Sequence, residues 1–271
     1  MLEDPGFNAA FVRTNRIATI TGEKSVKREG DIIRSSHEQV TYHFDRTGKL
    51  YQVEQIKKPG RSEGDVTATI YRYNPQGKLI DKIMADLKGA TSYSYQYNER
   101  GRLSKETCSR MESPRDTLSV TGPDRTEIYT ESFSYTDLDN GYKKITSNNY
   151  GRPYKEEFFY FDEHEYLVEH SQRYLMNNRM SKELFRYNER GLLEEKTVLT
   201  DLAKSDTTRF EYDYDENGNL HAARELKGSE LIRKAEFLYD PKTWRLTARL
   251  IKLEESEMIR IVEYETTYFD E

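Results

Sequence analysis

Asp213-Tyr214-Asp215-Glu216-Asn217-Gly218 sets oxygen-bearing side chains at alternate positions with glycine sixth, the opening of a calcium loop. The twelfth position of such a loop supplies a bidentate glutamate, and here it is Arg224. The flanks read as strands rather than helices, so the segment is taken as a turn. The densest group of histidine and carboxylate is Asp162-Glu163-His164-Glu165 with Glu169-His170. A helical zinc site needs two histidines four apart; His164 and His170 are six apart, across a predicted hairpin turn. They read as a polar turn and a solvated strand. His37, His43 and His221 have no partner in sequence, and Cys108, the sole cysteine, excludes an internal disulfide and a cysteine zinc site. No glycine-rich phosphate loop and no Gly-x-Ser-x-Gly elbow is present. No catalytic residue, metal or cofactor is assigned, and the chain is not read as an enzyme.

The elements that carry these residues follow a repeated pattern: aromatics, then Asp or Asn, two variable residues, Gly, one residue, Leu. It reads Phe44-Asp45-Arg46-Thr47-Gly48-Lys49-Leu50, Tyr73-Asn74 to Leu79, Tyr97-Asn98 to Leu103, Tyr187-Asn188 to Leu193 and Tyr214-Asp215 to Leu220. Degenerate copies run from Phe161-Asp162 to Leu167 and from Tyr239-Asp240 to Leu246. Before each turn the aromatics alternate with polar residues, as Phe210, Tyr212 and Tyr214 do with Glu211 and Asp213, the period of a half-buried strand. Asp or Asn starts the turn and Gly closes it at positive φ. Landmark leucines recur at 24 to 27 residues (Leu79 to Leu103, Leu167 to Leu193, Leu220), enough for two strands and two short connections. The fold class predicted is all-β: a repeat array of antiparallel hairpins forming an extended, twisted, open single sheet. Residues 1–38 read as an N-terminal arm and first strands, and 39–271 as the array, with a polar insert at about 109–127. The chain ends in half a unit, so its last strand is predicted to be an edge.

Composition agrees with a thin sheet. Hydrophobic residues are 35% of the chain, while 21 Tyr and 11 Phe at strand spacing argue against disorder. Lys and Arg number 42 against 48 Asp and Glu, mixed along every strand, so no basic block suits nucleic acid. No apolar run approaches a membrane span. Met1 to Phe7 lacks the basic start and apolar core of a signal peptide. Two readings follow: a mature periplasmic or extracellular protein after signal removal, or a cytoplasmic one.

The Tyr-Asp-x-x-Gly-x-Leu units resemble the YD repeats of the RHS family over roughly residues 40–271. That resemblance implies an exported β-strip protein, similar to short stand-alone bacterial members; the closed shell and toxic tail of larger relatives are not implied by about eight units. The function expected is a non-enzymatic protein-binding module of the bacterial cell envelope. Its partner would be a larger exported or outer-membrane protein, one version being a plug or accessory subunit of a secretion channel. The alternatives are a surface carbohydrate-binding protein and an intracellular immunity-type binder. Tyr212, Tyr214, Tyr239, Tyr264, Tyr268 and Phe269 are the candidate protein-binding residues, because aromatic rings anchor interfaces and an open edge accepts a strand.

Overall fold

The computed structural model describes all residues except 1–5, 29, 58–64, 87–88, 112–124, 205, 257 and 271. In chain order the elements are α1 (Ala9–Thr14), β1 (Ile17–Arg28), β2 (Arg34–Phe44), β3 (Leu50–Lys57), β4 (Asp65–Tyr73), β5 (Leu79–Asp86), β6 (Gly89–Tyr97), β7 (Leu103–Met111) and β8 (Arg125–Leu138). There follow β9 (Gly141–Ser147), β10 (Pro153–Phe161), β11 (Leu167–Tyr174), β12 (Met180–Tyr187), β13 (Leu193–Leu199), β14 (Thr207–Tyr214), β15 (Leu220–Lys227), β16 (Glu230–Tyr239), β17 (Leu246–Leu253) and β18 (Met258–Tyr268). Most of the polar insert lies outside the described residues; Ser109 to Met111 end β7, and Arg125 begins β8.

All eighteen strands belong to one sheet. β1 pairs antiparallel with β2 on one side (Thr21 opposite Thr41) and with β18 on the other (Thr21 opposite Glu265). The sheet therefore closes on itself, the topology of an 18-stranded β-barrel. This corrects two expectations. The array is not an open strip, and the final strand is not an edge: eleven residue pairs tie β18 to β1. Among the described strands, closure leaves no open edge for a partner strand to extend.

The turns are built from the repeat itself. Asp215 Oδ1 accepts from the amides of Asn217 and Asn219, and the Gly218 amide donates to the Asp215 carbonyl. Gly218 sits at φ +86°, a conformation that costs a side-chain-bearing residue about 1–2 kcal/mol. The tyrosine before the turn has its own task. Tyr73, Tyr97, Tyr187 and Tyr214 each donate their hydroxyl to the carbonyl of the landmark leucine of the previous unit, at 2.6–3.0 Å. Phe could fill the same space but could not make this bond. The repeat therefore encodes a link between neighbouring hairpins as well as a turn within one.

The chain divides into two compact units. In the first (residues 1–130, 238–250 and 258–271) the core gathers on α1. Asn8 caps this helix by accepting from the Ala10 and Phe11 amides. Val12 then packs with Ile20, Val40, Tyr42, Phe44, Val262 and Tyr264. Phe7 meets Tyr42 edge-on at 4.9 Å. Gly22 makes room, since a Cβ there would lie 2.8 Å from Val262 and 2.9 Å from Tyr264. A second apolar cluster joins Ile83, Ala85, Ala90 and Met111.

The second unit (residues 131–237 and 251–257) holds most of β8 and β9 to β16, each pairing with the next. Its buried apolar residues are Tyr212, Ala222, Ala223, Ala235, Phe237 and Ile251. Elsewhere its faces carry stacked rings, such as Tyr142 on Phe159 at 4.7 Å, and many ion pairs.

Candidate functional site

Register brings Lys144 on β9, Glu157 on β10, His170 on β11, Glu183 on β12 and Lys196 on β13 onto one face of the second unit. They form a ladder of alternating charge. Lys144 lies 3.0 Å from Glu157, Glu157 3.4 Å from His170, His170 3.2 Å from Glu183, and Glu183 2.7 Å from Lys196. Lys155 adds a second cation on Glu157 at 3.3 Å. Phe159 stacks on the His170 ring at 4.4 Å.

Burial alone would raise the Glu157 pKa, but the His170 hydrogen bond and the Lys144 and Lys155 charges win and hold it at about 2. The bond to Glu157 raises the His170 pKa against the pull of burial, with Glu183 adding to it. Glu183 is held low despite burial, through Lys196 and His170. The ladder thus stabilises an imidazolium between two carboxylates. Three lysines and His170 surround the two carboxylates, so each carboxylate has at least two cationic neighbours.

The opposite face of the same strands is also charged. Lys143 and Arg173 pair with Glu156, Lys182 with Glu169, Arg186 with Glu195, and Arg224 with Glu211. A strand that crosses a bilayer keeps one face apolar toward lipid; these strands show ion pairs on both. No helix among the described residues is long and apolar enough to cross a membrane.

Beside the ladder is a cavity of about 410 Å³ over β11 to β13. His170 and Glu183 form one wall, Tyr174 and Arg179 the other, and Gln172, Ser181 and Thr200 lie between.

The two metal candidates of the sequence come apart. His164 is exposed in its turn, 3.7 Å from Glu163, whereas His170 belongs to the ladder. In the calcium-like segment Asp215 is occupied by its own turn, and Arg224, at the twelfth position, pairs with Asp213 at 3.0 Å. Among the described residues no three metal-ligating side chains converge.

The aromatic candidates are dispersed. Tyr212 is buried on β14 and Tyr214 donates to the Leu193 carbonyl. Tyr264 is buried in the first-unit core, and Tyr239 is half-buried at the end of β16. Tyr268 is 47% exposed and bonded by Arg245, while Phe269 donates its amide to Arg16 and carries Arg46 over its ring at 5.0 Å. The ladder itself escaped the sequence reading, although a signal was there: its five members recur at a constant spacing of 13 residues, one strand plus one connection.

No family model matches the chain, and no curated protein does. Among solved structures it is similar to a porin-like protein from Bacteroides uniformis, at 13% identity over 93% of this chain and 97% of that one, TM-score 0.43. A porin-like protein from Bacteroides vulgatus is similar at 10% identity over 94% and 99%, TM-score 0.38. A chain of the Photorhabdus luminescens Tc holotoxin pore is similar at 11% identity over 80% of this chain and 12% of that one, TM-score 0.31. The YD-repeat resemblance is corrected on two grounds: no family model supports membership, and a closed sheet replaces the open repeat strip. None of these neighbours assigns an activity.

Proposed function

We propose that this chain is a non-enzymatic protein-binding module of the cell envelope, docking on a larger exported or outer-membrane protein through the turns at one end of the second unit. The observation that carries the reading is a group of apolar side chains left in water there. Met176 is 94% exposed and Tyr150 81%, with Met180 and Leu202 also exposed. Main-chain bonds place their connections side by side: the Leu175 amide donates to Tyr154, just past the Tyr150 turn, and the Leu202 amide donates to Met180. Isolated exposed apolar residues need no explanation, but a group on adjacent turns fits an interface. Arg152 and Arg179 border it, and Arg, Met and Tyr are enriched where proteins meet. The ion pairs on both strand faces support a protein that meets water rather than lipid along β9 to β15.

A photo-crosslinking residue at Met176, compared with one at exposed Met84 in the first unit, tests this in envelope preparations. A defined adduct from position 176, lost on Tyr150→Asp and absent from position 84, is expected. Equal labelling from both positions, or a protein absent from the envelope fraction, would defeat the proposal.

A further inference from the structure

We infer that the cavity over β11 to β13 is a binding site for a small acidic sugar of the uronate type. The inference does not rest on the turn-end docking surface, although Arg179 borders both, and Gln172→Ala, away from that surface, keeps the two distinguishable. Depth comes from residue size: Ser181 and Thr200 are short, between the taller pairs His170–Glu183 and Tyr174–Arg179. The volume, about 410 Å³, falls in the range of roughly 300–1,000 Å³ typical of small-ligand sites.

The lining differs from its surroundings in one respect. Around it the charged side chains are committed to ion pairs. Gln172, Ser181, Thr200 and Tyr174, by contrast, make no side-chain hydrogen bond among the described residues. Gln172 and Ser181 are half-buried while Thr200 and Tyr174 are exposed at the rim, so four polar groups converge on one hollow with their hydrogen-bonding capacity open to a ligand. Arg179 is only loosely held, 3.9 Å from Asp201, and is free to receive an anion as a fork of donors.

The set of groups selects the ligand. An amide and two aliphatic hydroxyls can each both donate and accept, which matches the dual character of sugar hydroxyls. The Tyr174 ring, 39% exposed, offers an apolar face for the carbon side of a pyranose and a phenol at its tip. Arg179 makes its wall cationic, whereas His170 and Glu183 on the opposite wall are paired with each other and with Glu157 and Lys196. Hydroxyls on the floor, a ring on one wall and a guanidinium beside it fit a pyranose carrying one carboxylate.

The full-length protein titrated with D-glucuronate, D-glucose and acetate, followed by calorimetry and by ligand-observed NMR, tests the assignment. Glucuronate should bind more tightly than glucose, acetate should bind least, and both Arg179→Ala and Gln172→Ala should weaken glucuronate by about tenfold, the scale of one charge-assisted hydrogen bond. Glu189→Ala, on a turn outside the cavity, serves as control. Unchanged melting curves separate loss of the site from loss of fold, and Ser181→Leu, which fills the hollow, should abolish binding in a folded protein. No glucuronate binding by the wild type, acetate binding as well as glucuronate, or affinity indifferent to both Arg179→Ala and Gln172→Ala would overturn the proposal.

Discussion

The two units use the same hairpins and hold them by different forces. In the first, α1 and Phe7 seal an apolar cluster of Ile20, Val40, Tyr42, Phe44, Val262 and Tyr264. In the second, much of the sheet face is a run of alternating charges whose key carboxylate, Glu157, is 6% exposed. Hydrophobic contacts are non-directional and tolerate small shifts. Ion pairs of this kind hold only while each partner is charged and in register. The first unit has its own ion pair on a buried carboxylate, Asp81 with Arg125, but its apolar cluster should leave it less sensitive to pH than the second.

Cutting the apolar seal should have the largest effect. Phe44→Ala removes a side chain that is 3% exposed and leaves a cavity, at a cost of about 3–5 kcal/mol in urea unfolding. A loss below about 1 kcal/mol would mean that the cluster does not hold the first unit together.

The counterpart in the second unit is Glu157→Gln, which leaves Lys144, Lys155 and His170 without their shared carboxylate. The expected cost is about 2–3 kcal/mol, less than for a fully buried pair because the lysines reach water. The pH dependence has two arms. Glu157 titrates near 2 when folded and from an ordinary 4.5 otherwise, so its contribution is present above 4.5 and is lost as pH falls toward 2. His170 is raised when folded, so its contribution is complete below its ordinary 6.5 and is lost as pH rises through the folded value. Thermal melts across both windows should shift in the wild type and flatten in Glu157→Gln.

Two turn glycines sharpen the contrast. A Cβ on Gly48 would fall 2.1 Å from the Ala9 carbonyl of α1, on top of a positive φ of 84°. On Gly218, at φ +86°, it would meet the Arg190 guanidinium at 3.2 Å. Gly218→Ala should cost about 1–2 kcal/mol, the backbone term alone, and Gly48→Ala distinctly more because the helix must move. Equal melting shifts would show that α1 is not seated against this turn. The smallest effect has the opposite sign. Glu165 occupies the glycine position of a degenerate copy at φ +62°, so Glu165→Gly should stabilise by up to about 1 kcal/mol.

Hairpins and turns were legible because their determinants are local. Asp or Asn at the start, Gly at the close and alternating aromatics lie within one short window. Closure was not legible, since pairing Ile17 with Tyr268 joins the two ends of the array and no local residue announces it. The half-unit at the end was read as an edge for the same reason: its missing return strand is supplied by β1. The ladder depends on the register of five strands, and a histidine read beside its sequence neighbours misses Glu157 and Glu183, each 13 residues away. The tyrosine hydroxyl bonds to the landmark leucines explain why the pattern demands Tyr and Leu together, a constraint between units that a single copy does not show.

Closure of the sheet is the central claim, and a disulfide across its seam tests it most directly. Thr19 and Thr267 face each other across β1 and β18 with hydroxyls 2.6 Å apart. In a Cys108→Ser background, Thr19→Cys with Thr267→Cys should oxidise within one chain, leave the fold intact and raise its resistance to urea. Oxidation only between chains, or cysteines that stay reduced in the folded protein, would contradict a closed sheet.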